Sequence, residues 1–547
     1  MTAPGAVLDR GWHWVVSGPA RARLALVALC LILFLPWFAD FPVTDRDEAL
    51  FAQSSRQMAE TGDLLRIRFL DEARNKKPVG IYWLQSAAVT LTTGPEDNAI
   101  WPYRLPSLIG AILAVLLTHS IALRLMSAQA ALAAGFILAA SLVLAGEARL
   151  AKTDAALLAA TLGSMAVLVR VWIDRPDRIS SLGRVQFWGC LAAAVLLKGP
   201  IGPLVVGLTL LALGGYERRW AWAMALLRGG GPLLFLAITA PWYLAITWVE
   251  GWSFWEDSLG RDLLGKVAAG QESHGLPPGS HLLALAFSFW PGTALLLLAL
   301  PGLRLALGNP TVRLALAWAL PFWIVLELTP TKLLHYPLPV FPALAMLAAD
   351  RFFSGQSPGR GWVLGAAGLA VAGLMVPAGL IVVLARDGSY NATALVTLAG
   401  SLFCAALFSR QLASGRRIQA LGAMLLLAAT GHWATLTVAA QTPWLWPSAA
   451  VARQISDLPP CPGRLLVVAG FNEPSMAFVS QMPVAFVDAP TLATALLADP
   501  CVIGVIDQQL LPDLMAKGAI QIGDTVEGFA IGSGRRVSLV IVQGQPG

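Results

Sequence analysis

Between Thr44 and Trp83 the chain reads TDRDEALFAQSSRQMAETGDLLRIRFLDEARNKKPVGIYW, a charged island between long apolar runs. It mixes seven acidic side chains (Asp45, Asp47, Glu48, Glu60, Asp63, Asp71, Glu72) with seven basic ones (Arg46, Arg56, Arg66, Arg68, Arg74, Lys76, Lys77). A positioned carboxylate can take a proton from an incoming group, and cations beside it can hold a phosphate. A passive connector has no use for so many charges. The island has the composition of a site that handles a negatively charged lipid and abstracts a proton at a membrane surface.

The elements that must position it are membrane helices. Of 547 residues, 56% are hydrophobic and 13% charged, with a mean hydropathy of +0.67. Soluble domains carry about 25% charged residues. Apolar runs recur at about 20 residues, the length a helix needs to cross the hydrocarbon. Period-two alternation is missing over most of the chain, which argues against a membrane barrel. About thirteen spans are expected, the first near 24–39 and the last near 417–440. The pair at 185–197 and 200–215, broken by Lys198-Gly199-Pro200, reads as a hairpin that barely crosses. The run Leu24–Trp37 has no small-residue cleavage site after it and reads as the first span, not a signal peptide.

Arginines orient these spans. Arg10, Arg21 and Arg23 precede the first one, and later arginines such as Arg124, Arg175, Arg218, Arg313, Arg351 and Arg417 fall on the same side under strict alternation. That side is cytoplasmic by the positive-inside rule. The net charge of +6 therefore serves orientation rather than nucleic-acid binding. Residues 1–440 form the membrane domain, with a first outer loop at 40–104. Beyond Pro443-Trp444-Leu445-Trp446-Pro447, the runs RLLVVAG, VAFVDA, VIGVID and VSLVIVQ are too short to cross as helices. They predict a small extracytoplasmic α/β domain over 441–547. Cys461 and Cys501 each precede one of its strands and are a candidate disulfide, if those strands are parallel neighbours. Cys30, Cys190 and Cys404 fall in spans as small apolar side chains.

Sidedness gathers what no single motif does. Asp47, Lys77, Glu147, Arg149, Lys152, Asp154, Lys198, Glu272, His274, Lys332, His335 and Tyr336 all belong to the outer face. Ionisable groups at a span cost about 2.5–3.5 kcal/mol each on insertion scales, so their clustering implies a cavity open to the outer leaflet. Each residue also has a plainer reading. Thr44-x-x-Asp47 has the form of a capping box, so Asp47 and Glu48 can simply start a helix. Lys76 suits lipid headgroups, whereas Lys77 is the better functional candidate. Asp154 can pair with Lys152 or Arg149. Glu272 and His274 are weak metal candidates, and Lys332, His335 and Tyr336 can be interfacial anchors.

Four ordered segments resemble a known family. They are Asp47-Glu48-Ala49 with Lys77-Pro78 thirty residues on, Leu150-Ala151-Lys152-Thr153-Asp154, Leu197-Lys198-Gly199-Pro200, and Lys332-Leu333-Leu334-His335-Tyr336-Pro337-Leu338-Pro339. They are similar to the polyprenyl-phosphate-sugar-dependent glycosyltransferases of the GT-C fold. The bacterial branch includes the lipid A aminoarabinose transferase and is related to the protein O-mannosyltransferases. The resemblance covers roughly residues 25–350. It implies inverting transfer of a sugar from an undecaprenyl- or polyprenyl-phosphate carrier to an extracytoplasmic acceptor, at the bacterial inner membrane and without a cofactor. By the same resemblance, Asp47 and Asp154 are the catalytic carboxylates. Lys77, Arg74, Lys198, Lys332 and Tyr336 serve the donor phosphate, and Glu48, His274 and His335 line the cavity. One departure stands out: the aminoarabinose transferase has an acidic residue just before Lys-Pro, where this chain has Lys76. That weakens both a lipid A acceptor and the metal site that goes with it.

The alternative is a transporter or flippase of lipid-linked sugars. Such a protein places ionisable groups near mid-membrane and carries repeat symmetry, whereas here the polar groups collect at one rim and no repeat stands out.

Overall fold

In a computed structural model the described residues are 4–265, 275–354, 359–386, 392–516 and 519–544. Every expected span is helical. Those that bear on the site are α1 (Pro4–Val16), α2 (Pro19–Phe34), α3 (Asp47–Thr61), α4 (Gly80–Thr90), α5 (Trp101–Ala122), α6 (Ala128–Ala140), α7 (Leu142–Glu147), α8 (Asp154–Asp174), α9 (Ser181–Lys198) and α10 (Ile201–Glu217). Among the described residues, seven helices are each long and apolar enough to cross a membrane, and α1 with α2, bent by 118°, would make an eighth. The other expected spans are shorter or broken, as Ser141 breaks α6 from α7. The 185–215 hairpin is longer than its apolar runs suggest. The 18 residues of α9 rise about 27 Å at 1.5 Å each.

Small residues let the helices that carry the charged groups approach closely. A Cβ at Gly110 of α5 would lie 2.7–2.8 Å from the backbone of Ala155 and Ala156, in the first turn of α8. A Cβ at Gly80 of α4 would lie 2.7 Å from the Leu196 carbonyl, in the last turn of α9. The helix ends bearing Asp154 and Lys198 are thus locked by backbone-to-backbone contact. At the far end of α8, Arg124 pairs with Asp174 at 2.6 Å, while Arg175 and Arg313 meet Glu217 at 2.8 and 3.4 Å. Those twenty steps along α8 make about 30 Å, the thickness of the hydrocarbon.

After α3 a short hairpin (β1 Arg68–Phe69, β2 Glu72–Ala73) leads to α4. The C-terminal strands are β3 (Leu466–Ala469), β4 (Val484–Val487), β5 (Ile503–Asp507), β6 (Ala519–Gln521), β7 (Val526–Ala530) and β8 (Arg535–Gly544). They form one sheet in the order β4-β3-β5-β8-β6, with β7 also on β8. β3 runs parallel to β4 and β5, whereas β8 is antiparallel to all its neighbours. Alternate β3 side chains feed two cores: Leu466 and Val468 pack with Val451, Ile455 and Met476, and Val467 and Ala469 with Leu492 and Leu496. Both faces are covered, which is why these strands are apolar throughout rather than alternating. Cys461 and Cys501 lie ahead of the parallel neighbours β3 and β5 and are joined as a disulfide, with Cα atoms 5.7 Å apart.

Candidate active site

The site begins at the first turn of α3, where adjacent residues are treated in opposite ways. The Glu48 side chain is 0% exposed and ion-paired with Arg104, itself 0% exposed, at 2.8 Å. Its second oxygen accepts from the Thr44 backbone and hydroxyl at 2.9 and 3.1 Å. The first oxygen also accepts from the Ala151 backbone at 2.9 Å. Arg104 donates onward to the carbonyls of Phe38 and Pro42. Expected in the substrate cavity, Glu48 is instead a sealed knot joining segment 38–44, α3, α5 and the loop before α8. The capping interaction also shifts by one residue: Glu48, not Asp47, closes on Thr44.

Asp47 is thereby released from helix capping. Its side chain is exposed although protein surrounds it, as in a chamber with an opening. Burial pushes its carboxyl up, but Lys152, His335, Arg74 and Lys198 outweigh this and hold it below the usual aspartate range. Among the described residues none hydrogen-bonds or ion-pairs with it.

Around this carboxylate lies a network drawn from three distant parts of the sequence. Lys198 Nζ meets Asp154 Oδ1 at 2.6 Å and sits 5.8 Å from the centre of the Tyr336 ring. Lys152 Nζ meets Glu147 Oε1 at 3.1 Å. His335 lies between the two pairs, Nδ1 3.8 Å from Glu147 and Nε2 3.9 Å from Asp154, with its ring edge-on to Tyr336 at 5.1 Å. Burial, then Lys152, push the His335 imidazole down to about 3, so it is neutral. Burial alone would lower the Lys152 ammonium, but Glu147, Asp154 and Asp47 hold it charged above its ordinary value. Arg74, also buried, donates from Nε to the Tyr82 hydroxyl at 3.0 Å and lies over the Phe51 ring. Lys77 is half-buried in the turn before α4, whereas Lys76 is exposed.

The structure thus brings together Asp47, Asp154, Lys198, His335 and Tyr336, with Arg74 close enough to act on Asp47. Lys332 has a different task from the one expected. It is buried with Nζ 2.7 Å from the carbonyls of Leu326 and Glu327, closing the C-terminal end of helix Pro310–Leu328. A donor phosphate would have to displace that cap. Glu272 and His274 lie outside the described residues, and among those described no three His, Cys, Asp or Glu side chains are placed to hold a metal. Sidedness put Glu147 and Lys152 on the outer face without a role, and the structure makes them half of the network. Arg104 carried no signal beyond being a lone arginine in an apolar run.

The C-terminal sheet region closes one side of the loop. Ser475 donates from its backbone to Asp45 Oδ1 at 3.3 Å, Arg56 donates to the Phe478 carbonyl at 3.3 Å, and Tyr103 meets the Phe478 ring edge-on at 5.5 Å. Arg46, next to Asp47, has φ 61°, a conformation rare outside glycine. A Cβ at Gly532, in the β7–β8 turn, would collide with Arg46 and Glu473. The β7–β8 turn thus packs directly on the side chain of the residue that precedes Asp47.

The family described as dolichyl-phosphate-mannose-protein mannosyltransferase matches residues 76–244. The undecaprenyl phosphate-alpha-4-amino-4-deoxy-L-arabinose arabinosyl transferase of Pectobacterium carotovorum is 26% identical over 350 residues, which are 62% of this chain and 60% of that protein. The enzyme of the same name from Aeromonas salmonicida is 29% identical over 335 residues, 60% of this chain and 59% of that one. The chain therefore aligns with about 60% of the length of these relatives. The crystal structure of ArnT from Cupriavidus metallidurans superposes with a TM-score of 0.75 at 20% identity, covering 95% of this chain and 97% of that one. The same protein bound to undecaprenyl phosphate gives 0.74 over the same shares. The chain is a multi-pass membrane protein of the GT-C fold, similar in sequence to polyprenyl-phosphate-sugar glycosyltransferases of the aminoarabinose transferase type.

Proposed function

We propose that the protein is an inverting glycosyltransferase that moves a sugar from a polyprenyl-phosphate carrier to an acceptor on the outer face of the inner membrane. One observation carries this reading: an accessible Asp47 carboxylate, unpaired among the described residues, inside a ring of cations. The relatives act on, and the ArnT structure holds, undecaprenyl-phosphate compounds, which supports the same donor class here.

The leaving group is a phosphate, so the cations have a defined task. At about 4 Å and an effective dielectric near 20, a single Lys–phosphate contact gives about 4 kcal/mol before desolvation. Lys198 and Lys77 offer ammonium groups and Arg74 a guanidinium where that charge develops. Asp154 holds Lys198 in place, and Glu147 does the same for Lys152. Asp47 takes the proton of an acceptor hydroxyl as the sugar's anomeric carbon passes from carrier to acceptor. If the acceptor is itself a phosphate, Asp47 orients it instead. Single displacement needs one such carboxylate, unlike the retaining hydrolases, which use two. Neutral His335 separates the two ion pairs without adding charge.

In this reading the N-terminus is cytoplasmic, while the chamber and a separate domain at 441–547 are extracytoplasmic. The acceptor is an envelope glycan or lipid, and Lys76 counts against lipid A. The test is mass spectrometry of lipid A, core oligosaccharide and surface glycans from a deletion strain carrying wild type or Asp47→Asn. A sugar lost in the deletion, restored by wild type and absent with Asp47→Asn is expected. Wild-type glycans with Asp47→Asn would overturn the assignment.

A further inference from the structure

A cleft of about 500 Å³ opens on the other side of α3, between the first loop and the C-terminal sheet region. Sites for small molecules run roughly 300–1,000 Å³. From α3 it takes Gln53, Arg56, Gln57 and Glu60, six to thirteen residues after Asp47. That places it about 9–20 Å along the helix from Asp47 and, at about 100° per residue, roughly 180–280° around it. The cleft and the reaction chamber therefore lie on opposite faces of one helix. Asp71 from the hairpin, Glu96 and Asn98 from the turn before α5, and Gln481 to Val484 from the sheet region complete the walls.

The lining has a consistent chemistry. Glu60, Asp71 and Glu96 are exposed at the rim, against a single arginine. Gln53 lies deepest of the amides, with Gln57 and Asn98 half-buried, and Met482, Pro483 and Leu70 supply apolar surface. Arg56 ties three walls together through Asn98 Oδ1, the Phe478 carbonyl and the Phe478 ring, so the cleft is held in shape. Gln53 lines the cleft, is nine-tenths buried, and its side chain hydrogen-bonds to none of the described residues. A ligand rich in hydroxyls would give the Gln53 amide the partner it lacks.

We infer that this cleft binds a sugar unit, neutral or amino-bearing, of the glycan that the protein modifies, away from the reacting hydroxyl. Carboxylates and amides pair with hydroxyl and ammonium groups, the apolar wall takes the face of a pyranose ring, and the surplus of acid repels phosphorylated sugars. The choice of a sugar rests on the transfer reading, but binding here does not require turnover.

Saturation-transfer NMR on the full-length protein in nanodiscs, with glucosamine, glucose and glucose 6-phosphate as probes, tests it. Saturable binding of glucosamine and glucose is expected, with glucose 6-phosphate at least roughly tenfold weaker, about the 1.4 kcal/mol of one decade. Pro483→Trp, at an exposed position, fills the cleft and should abolish the signal. Glu96→Gln should narrow the gap between glucosamine and glucose 6-phosphate. Asp47→Asn should bind all three probes as wild type does, so a failed transfer assay and a failed cleft remain distinct. No saturable binding, tightest binding of glucose 6-phosphate, or a signal unchanged by Pro483→Trp would overturn the inference.

Discussion

Asp47 and Glu48 are chain neighbours with identical charge, and they end in opposite surroundings. Glu48 is sealed from water in a knot with Arg104, Thr44 and Ala151. Asp47 stays accessible, balanced by cations it does not touch. A buried ion pair with every oxygen satisfied fixes geometry and is strongly destabilising to break. A carboxylate without fixed partners is available to a substrate. The knot holds the backbone so that the chamber can keep an uncommitted acid.

That contrast can be broken from either side. Asp47→Asn should lower transfer from a purified polyprenyl-phosphate sugar by about 10²- to 10⁴-fold, the range of general-base catalysis, with no change in melting temperature. If the variant transfers normally, the accessible acid has no chemical role. Arg104→Met leaves Glu48 buried without its cation and should cost about 3–5 kcal/mol of stability, read as a collapse of detergent-solubilised yield and melting temperature. Adding Glu48→Leu should recover most of that stability while the Asp47 geometry is lost. Lys198→Ala removes a charged contact worth about 1.5–3 kcal/mol, and should raise the donor KM roughly 10- to 100-fold. Lys76→Ala, at an exposed lysine, should leave it unchanged.

The smallest effect concerns pH at the junction with the sheet region. Burial, then Asp45, push the Glu473 carboxyl up to about 7. The folded protein therefore keeps this proton at a pH where the unfolded chain has released it. The contribution to stability is full below the ordinary glutamate range and is lost as pH rises through about 7. Wild type should melt a few degrees lower at pH 8 than at pH 5.5, and Glu473→Gln should flatten that slope. An equal slope in the variant would move the effect to another group.

Much of the architecture was legible because lipid imposes simple rules. Apolar runs of span length, arginines on one side and short β-rich runs after residue 441 led to helices ending in a small α/β region. Sidedness by itself put Asp47, Glu147, Lys152, Asp154, Lys198 and His335 on one face, and they are joined there. The number of complete spans was less legible, since breaks such as Ser141 lie inside continuous apolar sequence. Lys332 was misread because its type and position suit a phosphate as well as they suit the carbonyls of a helix end.

The sequence by itself determined that this is a membrane protein, with Asp47, Glu147, Lys152, Asp154, Lys198 and His335 gathered at one end of its helices, because burying charge in hydrocarbon is too costly to happen at random. Only the tertiary structure decided which of two adjacent carboxylates stays free. That choice depends on Arg104, 56 residues beyond Glu48, and on the backbone of Ala151, 103 residues beyond it. Contacts at such separation leave no local pattern, since they exist only once the helices have packed.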